Sequence, residues 1–122
     1  MAERGRIYGW PRNRPFGDSK ARPVLVVAPD AATETSNRWV VVPISRDPRL
    51  AGVPLAVPIP ADAATGLHEP SHAMAWLPTT VLRRQLNGPY GRVSPEQLKA
   101  VLRALHCALD LEMLEPWQGT GH

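Results

Sequence analysis

Ala21-Arg22-Pro23-Val24-Leu25-Val26-Val27-Ala28 and, about one strand later, Val40-Val41-Val42-Pro43-Ile44-Ser45 are the stretches that decide how this chain is read. The first is a continuous apolar run bounded by Pro23 and Pro29, the pattern of a strand packed on both faces. Residues 39–44 form a second run of the same kind. Arg22 stands at the mouth of the first strand, and Ser45-Arg46 follow where the second leaves the sheet. If the two strands pair, a guanidinium and a hydroxyl converge on one phosphate, which outlines a phosphodiester-handling site.

A length of 122 residues provides one domain and not two. A chain of this size buries roughly two thirds of its unfolded surface, so it needs neither disulfides nor metal to fold. The single cysteine, Cys107, rules out an intrachain disulfide and points to a reducing, cytoplasmic setting. No apolar h-region follows the basic N-terminal residues, and no run approaches the ~20 residues of a membrane span. The formal charge is +3, and six of the fourteen basic residues lie in the first 22 positions. Arginines interleaved there with Tyr8, Trp10 and Phe16 match a nucleic-acid surface, with cations for phosphates and rings for unstacked bases. An Arg-biased, solvated face is the plainer account of the same composition.

Hydrophobic patterning predicts strands over residues 4–10, 23–28, 38–44, 53–59 and 71–77. Residues 30–37 and 46–52 read as loops. Pro54 and Pro58 remove ladder donors and place the fourth strand at a sheet edge. Residues 79–86 read as a short helical turn and 88–93 as a turn or short strand. Ser94-Pro95-Glu96-Gln97 is a capping box with proline at the first helical position. Leu98, Val101, Leu102, Leu105 and Leu109 then form one apolar stripe, predicting a helix to about residue 111. The expected architecture is mainly β (α+β): a small, strongly bent antiparallel sheet or partly closed barrel of about five to seven strands with a C-terminal helix. Its core spans about 4–111, and residues 116–122 form a loose tail.

In order and spacing, Arg4-Gly5-Arg6-Ile7-Tyr8, Gly17, Ala21-Arg22-Pro23-Val24, Val40-Val41-Val42-Pro43-Ile44-Ser45, Val53-Pro54-Leu55 and Gly91-Arg92-Val93-Ser94-Pro95-Glu96-Gln97-Leu98 resemble the MazF/PemK toxin family. The resemblance implies an SH3-like barrel, a homodimer, and metal-independent endoribonuclease activity on single-stranded RNA, silenced by a cognate antitoxin. The family's catalytic arginine corresponds to Arg22, and its hydroxyl residue, usually threonine, to Ser45. The acidic residue that many members carry before the arginine aligns with Gly17, beside Asp18. Trp76-Leu77-Pro78-Thr79-Thr80 stands where many members have an Asp-Gln-x-Arg-Thr-like segment, leaving Arg83 or Arg84 to reach that region from the following turn.

RNA cleavage without metal uses the 2′-hydroxyl as nucleophile and develops negative charge on phosphorus oxygens. Arg22, a planar and permanently charged fork, suits that charge. Ser45 suits a non-bridging oxygen or the attacking hydroxyl, although a strand-ending serine also caps turns. Arg14, Asp18, Ser19, Lys20, Arg46 and Thr79 are the expected substrate-binding residues. His68 and His72 are the natural candidates for a base, against the plainer account of solvated loop residues. No carboxylate or thiol lies at ligand spacing, so no metal site and no cofactor is expected. His106 and Cys107 are adjacent on a helix and cannot face each other. Trp39, Trp76 and Trp117 read as core or dimer-interface residues, and Trp10 as a candidate base platform. The expected function is a sequence-selective toxin ribonuclease leaving a 2′,3′-cyclic phosphate and a 5′-hydroxyl. The alternative is a non-catalytic binder on the same fold, a gyrase-inhibitor-like toxin or an RNA-binding module.

Overall fold

The computed structural model describes residues 3–11 and 22–110. Strand β2 (Arg22–Val26) runs antiparallel between β1 (Arg6–Trp10) and β3 (Arg38–Ser45), with Ile7 opposite Leu25 and Leu25 opposite Val42. Its apolar run is buried on both faces. Leu25 and the following Val27 enter one core with Ile7, Val42 and Ile44, while Val24 and Val26 enter a second with Tyr8, Trp39 and Val41. β3 serves two further partners along its other edge. Arg38 to Val41 pair with β6 (Thr79–Leu82), and Ile44 and Ser45 pair with β5 (Ser71–Met74). With β4 (Ala56–Ile59) and β7 (Asn87–Arg92) the order is β4-β5-β3-β2-β1-β7, and β6 lies off this path on β3. The result is a seven-stranded antiparallel sheet with β4, which carries Pro58, at an edge.

Helix α2 (Pro95–Ala108) covers the first core with Leu98, Val101, Leu102 and Leu105. Ser94 Oγ accepts from the Gln97 N–H at 3.1 Å, and Gln97 Oε1 accepts from the Ser94 N–H at 2.7 Å, the capping box written in the sequence. The helix ends at Ala108, short of residue 111, and Asp110 adopts a left-handed backbone with φ 53°. In the second core the Tyr8 and Trp39 rings meet edge to face at 5.9 Å. The Arg83 guanidinium lies 5.0 Å from the Tyr8 ring centre and 5.3 Å from that of Trp39, a cation–π contact with both. Tyr8 Oη donates to Glu3 Oε1 at 2.6 Å. Burial, reinforced by the Glu3 carboxylate, pushes the Tyr8 phenol above its usual value of 10.0.

Two segments differ from expectation. Residues 30–37 contain a short helix, α1 (Asp30–Thr35), instead of a loop alone; none of its residues is buried, so it has no apolar stripe to announce it. The Thr33 and Thr35 hydroxyls bond back to the carbonyls of Asp30 and Ala31. Of residues 79–86 only Arg83–Gln85 form a helical turn, a single 3₁₀ one; Thr79–Leu82 form β6, because β-branched Thr79, Thr80 and Val81 find a ladder on β3. Strand boundaries also tighten. β4 starts at Ala56 because Leu55 is left-handed (φ 70°), and β5 stops at Met74, whose carbonyl accepts from Leu77 N in a turn.

The loop between β4 and β5 bends the sheet toward a barrel. Buried Thr65 donates through Oγ1 to the Pro60 carbonyl and through its N–H to Asp62 Oδ1, each at 2.8 Å. Held in this way, the loop docks on β7, where Arg92 N donates to the Ala64 carbonyl at 2.8 Å. A Cβ at Gly91 would collide with the backbone of Ala64 and Thr65, so only glycine permits the approach. The two ends of the strand order are thereby bridged.

Gly91→Ala is expected to destabilise the fold by about 1–3 kcal/mol, because the obstructing atoms are backbone. Gly9→Ala meets only the Tyr90 phenol and is expected to be milder; urea melts of the two variants measure the difference. Tyr8 predicts the alkaline behaviour. Its folded-state value lies above 10.0, so its contribution is intact below that pH and is lost as pH rises through the folded value. Urea melts above pH 10 are expected to show a shallower loss of stability for Tyr8→Phe than for the parent chain.

Candidate active site

The ends of β2 and β3 form the floor of an open cleft of about 870 Å³, through Arg22, Pro23, Ile44 and Ser45. Val24 lies opposite Pro43, so continuing the antiparallel register by two residues brings Arg22 opposite Ser45. Trp10 pairs with Arg22 on the far side, and His72 pairs with Ser45. Directly opposed residues share a face, so Trp10, Arg22, Ser45 and His72 form one cross-strand row. Of that row, Arg22 and Ser45 line the cleft and Trp10 and His72 do not. The β4–β5 loop supplies one wall with Gly66, Leu67, His68 and Glu69. Gly9 of β1 and Pro89 and Tyr90 of β7 supply the other.

Ser45 is fixed by the turn that follows it. Its Oγ accepts from the Asp47 N–H at 3.2 Å. Asp47 in turn caps the 3₁₀ turn Pro48–Leu50 by accepting from the Arg49 N–H at 2.9 Å. The Arg49 guanidinium grips the same carboxylate at 2.7 Å, and these hydrogen bonds hold Asp47 down at about 2. Arg49 is thus engaged in its own turn, and Arg46 is the cation that this turn adds to the cleft lining beside Arg22. Arg46 bonds Glu69 at 3.1 Å across the mouth with side chains 72% and 58% exposed. An ion pair this open is weak.

The structure therefore gathers Arg22, Ser45 and Arg46 at one cleft. Thr79 is not among the lining residues; it pairs with Val41 on β6, and its hydroxyl donates to the Leu77 carbonyl. Arg14, Asp18, Ser19 and Lys20 fall outside the described residues. Arg83, expected to reach the region of the missing basic residue, is instead held over Tyr8 and Trp39. His68 enters the cleft and His72 does not. Tyr90, Glu69 and Leu67 are lining residues that the sequence reading did not single out. They come from a loop and an edge strand with no apolar periodicity, and the glycines at 66, 88 and 91 were the only trace of close packing there. Among the described residues no cluster of histidine, cysteine or carboxylate is placed to hold a metal, and no helix is long and apolar enough to cross a membrane. The cleft offers a guanidinium, a hydroxyl and an imidazole, a set suited to binding a phosphodiester and moving a proton beside it.

The sequence model for the PemK-like, MazF-like toxin of type II toxin-antitoxin system matches residues 3–109. No match is found among curated proteins. Among solved structures, an endoribonuclease in complex with its cognate antitoxin from mycobacterial species superposes with a TM-score of 0.72 at 25% identity, covering 93% of this chain and 96% of that one. The Mycobacterium tuberculosis toxin MazF-mt6 gives 0.71 at 26% identity, with 86% and 96% covered. A MazE–MazF structure from Deinococcus radiodurans shares the fold, with a TM-score of 0.69 at 18% identity over 88% and 93% of the two chains.

Replacing Ser45 by alanine leaves the Asp47 N–H without its acceptor and is expected to lower stability by about 0.5–1.5 kcal/mol. Ser45→Thr keeps the acceptor and is expected to melt close to the parent in the same thermal scan.

Proposed function

Because the chain belongs to the family of PemK-like, MazF-like toxins of type II toxin–antitoxin systems, whose model its residues 3–109 match, we propose that it is a sequence-selective, metal-independent endoribonuclease acting on single-stranded RNA. The observation that carries this reading is the convergence of Arg22, Ser45 and His68 on one open cleft. The likeness to a mycobacterial endoribonuclease solved with its cognate antitoxin supports both the activity and an antitoxin partner. The working unit is a homodimer, the commonest closed assembly, and it acts in the cytoplasm.

The chemistry follows from what each group is able to do. His68 takes the proton from the ribose 2′-hydroxyl, and the 2′-oxygen attacks the adjacent phosphorus. Charge builds on the non-bridging oxygens, where Arg22 meets it with a two-pronged, permanently positive fork. Ser45 Oγ accepts from Asp47 N and retains its own proton to donate to one of those oxygens. The P–O5′ bond breaks, the 5′-oxygen takes a proton from water while His68 gives its proton back to solvent, and the products are a 2′,3′-cyclic phosphate and a 5′-hydroxyl. Arg46 draws the backbone into the mouth by exchanging Glu69 for phosphate. Arg14, Asp18, Ser19 and Lys20, which precede Arg22 in sequence, contact the substrate in this reading; Thr79 is not part of the cleft lining.

Incubation with a mixed RNA pool in EDTA is expected to give discrete cuts whose ends are a cyclic phosphate and a 5′-hydroxyl. Arg22→Ala is expected to lower the rate by about 10²–10³-fold, and His68→Gln by about 10²-fold or more. Arg103→Ala, on the exposed face of α2, is expected to cut as the parent does. Intact RNA from the folded parent chain, or full activity in Arg22→Ala, would leave a binder without nuclease chemistry as the better account.

A further inference from the structure

Tyr90 lines the cleft without a part in the cleavage chemistry. Tyr90 is 53% exposed, and Leu109 is the other large apolar side chain that stands so open among the described residues. Its position is built by glycines from three separate segments. A Cβ on Gly9 would stand 2.7 Å from Tyr90 Oη, 2.8 Å from Cε2 and 3.1 Å from Cζ, so the phenol end of the ring lies against β1 only because Gly9 has no side chain. A Cβ on Gly88 would stand 2.9 Å from Tyr90 N and 3.4 Å from Cδ1, and one on Gly66 would collide with the Tyr90 carbonyl. The backbone is thus hemmed in, and the ring is braced beside Gly9 in the cleft that also holds Arg22 and Ser45.

A large ring half exposed in an open cleft loses apolar burial that the core would have supplied, and here the surrounding glycines maintain that arrangement. Such a ring offers contact area with few rotatable bonds to immobilise, and every nucleobase has a face that stacks on it. Leu67 and Pro89 add apolar flanks beside it. We propose that Tyr90 is the stacking platform for one unpaired nucleobase neighbouring the phosphate at Arg22, and that it contributes to the choice of nucleotide at that position. The assignment rests on the reading of the cleft as a polynucleotide site. It makes Tyr90 a specificity-determining residue that touches substrate without sharing in bond cleavage.

The test uses binding, so that it stands apart from turnover. Fluorescein-labelled 2′-O-methyl heptamers of each base lack the nucleophile and report affinity by anisotropy for the parent chain and for Tyr90→Phe, Tyr90→Leu, Tyr90→Ala and Gly9→Ala, each first checked for folding by thermal melt. Tyr90→Phe is expected to bind within about two-fold of the parent, and Tyr90→Ala and Tyr90→Leu about ten-fold or more weaker. Gly9→Ala, which displaces the ring, is expected to fall between them. Moving an abasic site through the heptamer is expected to reveal one position where the parent loses that factor and Tyr90→Ala loses nothing further. Equal affinity of Tyr90→Ala or Tyr90→Leu and the parent, or abasic profiles identical in the two proteins, overturns the proposal. Absence of heptamer binding by the parent overturns it together with the polynucleotide reading. Binding through Tyr90 by a protein that leaves unmodified RNA uncut keeps the platform and removes only the nuclease chemistry.

Discussion

Val24, Leu25 and Val26 of β2 face Pro43, Val42 and Val41 of β3, and that register underlies both halves of the molecule. Because side chains alternate across a sheet, a slip of one residue would carry Ser45 to the face opposite Arg22. Two features hold the register in place. β2 is flanked on both sides, with Leu25 locked opposite Ile7 as well as Val42. Pro43, which has no N–H to give, falls where β3 passes from its ladder with β6, ending at Val41, to its ladder with β5, beginning at Ile44. A proline in a central strand is ordinarily a liability, and at this handover it interrupts no continuous ladder. The same handover frees the end of β3 to open into the cleft.

The floor of the cleft was legible in the sequence because its residues sit on elements with strong patterns. A doubly buried strand has a continuous apolar run, so Arg22 and Ser45 could be placed at the two strand ends before any geometry was known. The capping box from Ser94 to Gln97 was equally plain, since both of its bonds are local. What the sequence does not announce is non-local or unburied. α1 has no buried face, and β6 is four residues whose strand character depends on β3 as a neighbour. The cleft walls belong to the same class. Nothing in the local order of Gly66-Leu67-His68-Glu69 or Pro89-Tyr90 says that the two segments will face each other.

Arg83 shows how tertiary context redirects a charge. By sequence position it was available to replace a basic residue of the family pattern. In the fold it lies over two rings of the second core, of which Tyr8 also donates its hydroxyl to Glu3. Its alkyl stem and planar head are well suited to covering aromatic edges. Counting cations near a site in sequence therefore overstates how many are offered to a ligand, and Arg49, bound into the turn after Ser45, makes the same point.

The tetrapeptide 66–69 is clamped at both ends, by Thr65 within its own turn and by Ser71, whose hydroxyl donates to the Glu69 carbonyl at 2.9 Å. None of its four residues contributes to a strand ladder, yet all four face the cleft. Gly66 must stay small beneath Tyr90 and Leu67 packs against the first core, whereas the exposed side chain of Glu69 can vary without disturbing the folded frame. A lineage built on this scaffold would thus have one open position, facing Arg46 across the mouth, at which the charge of the cleft can be retuned while the architecture stays in place.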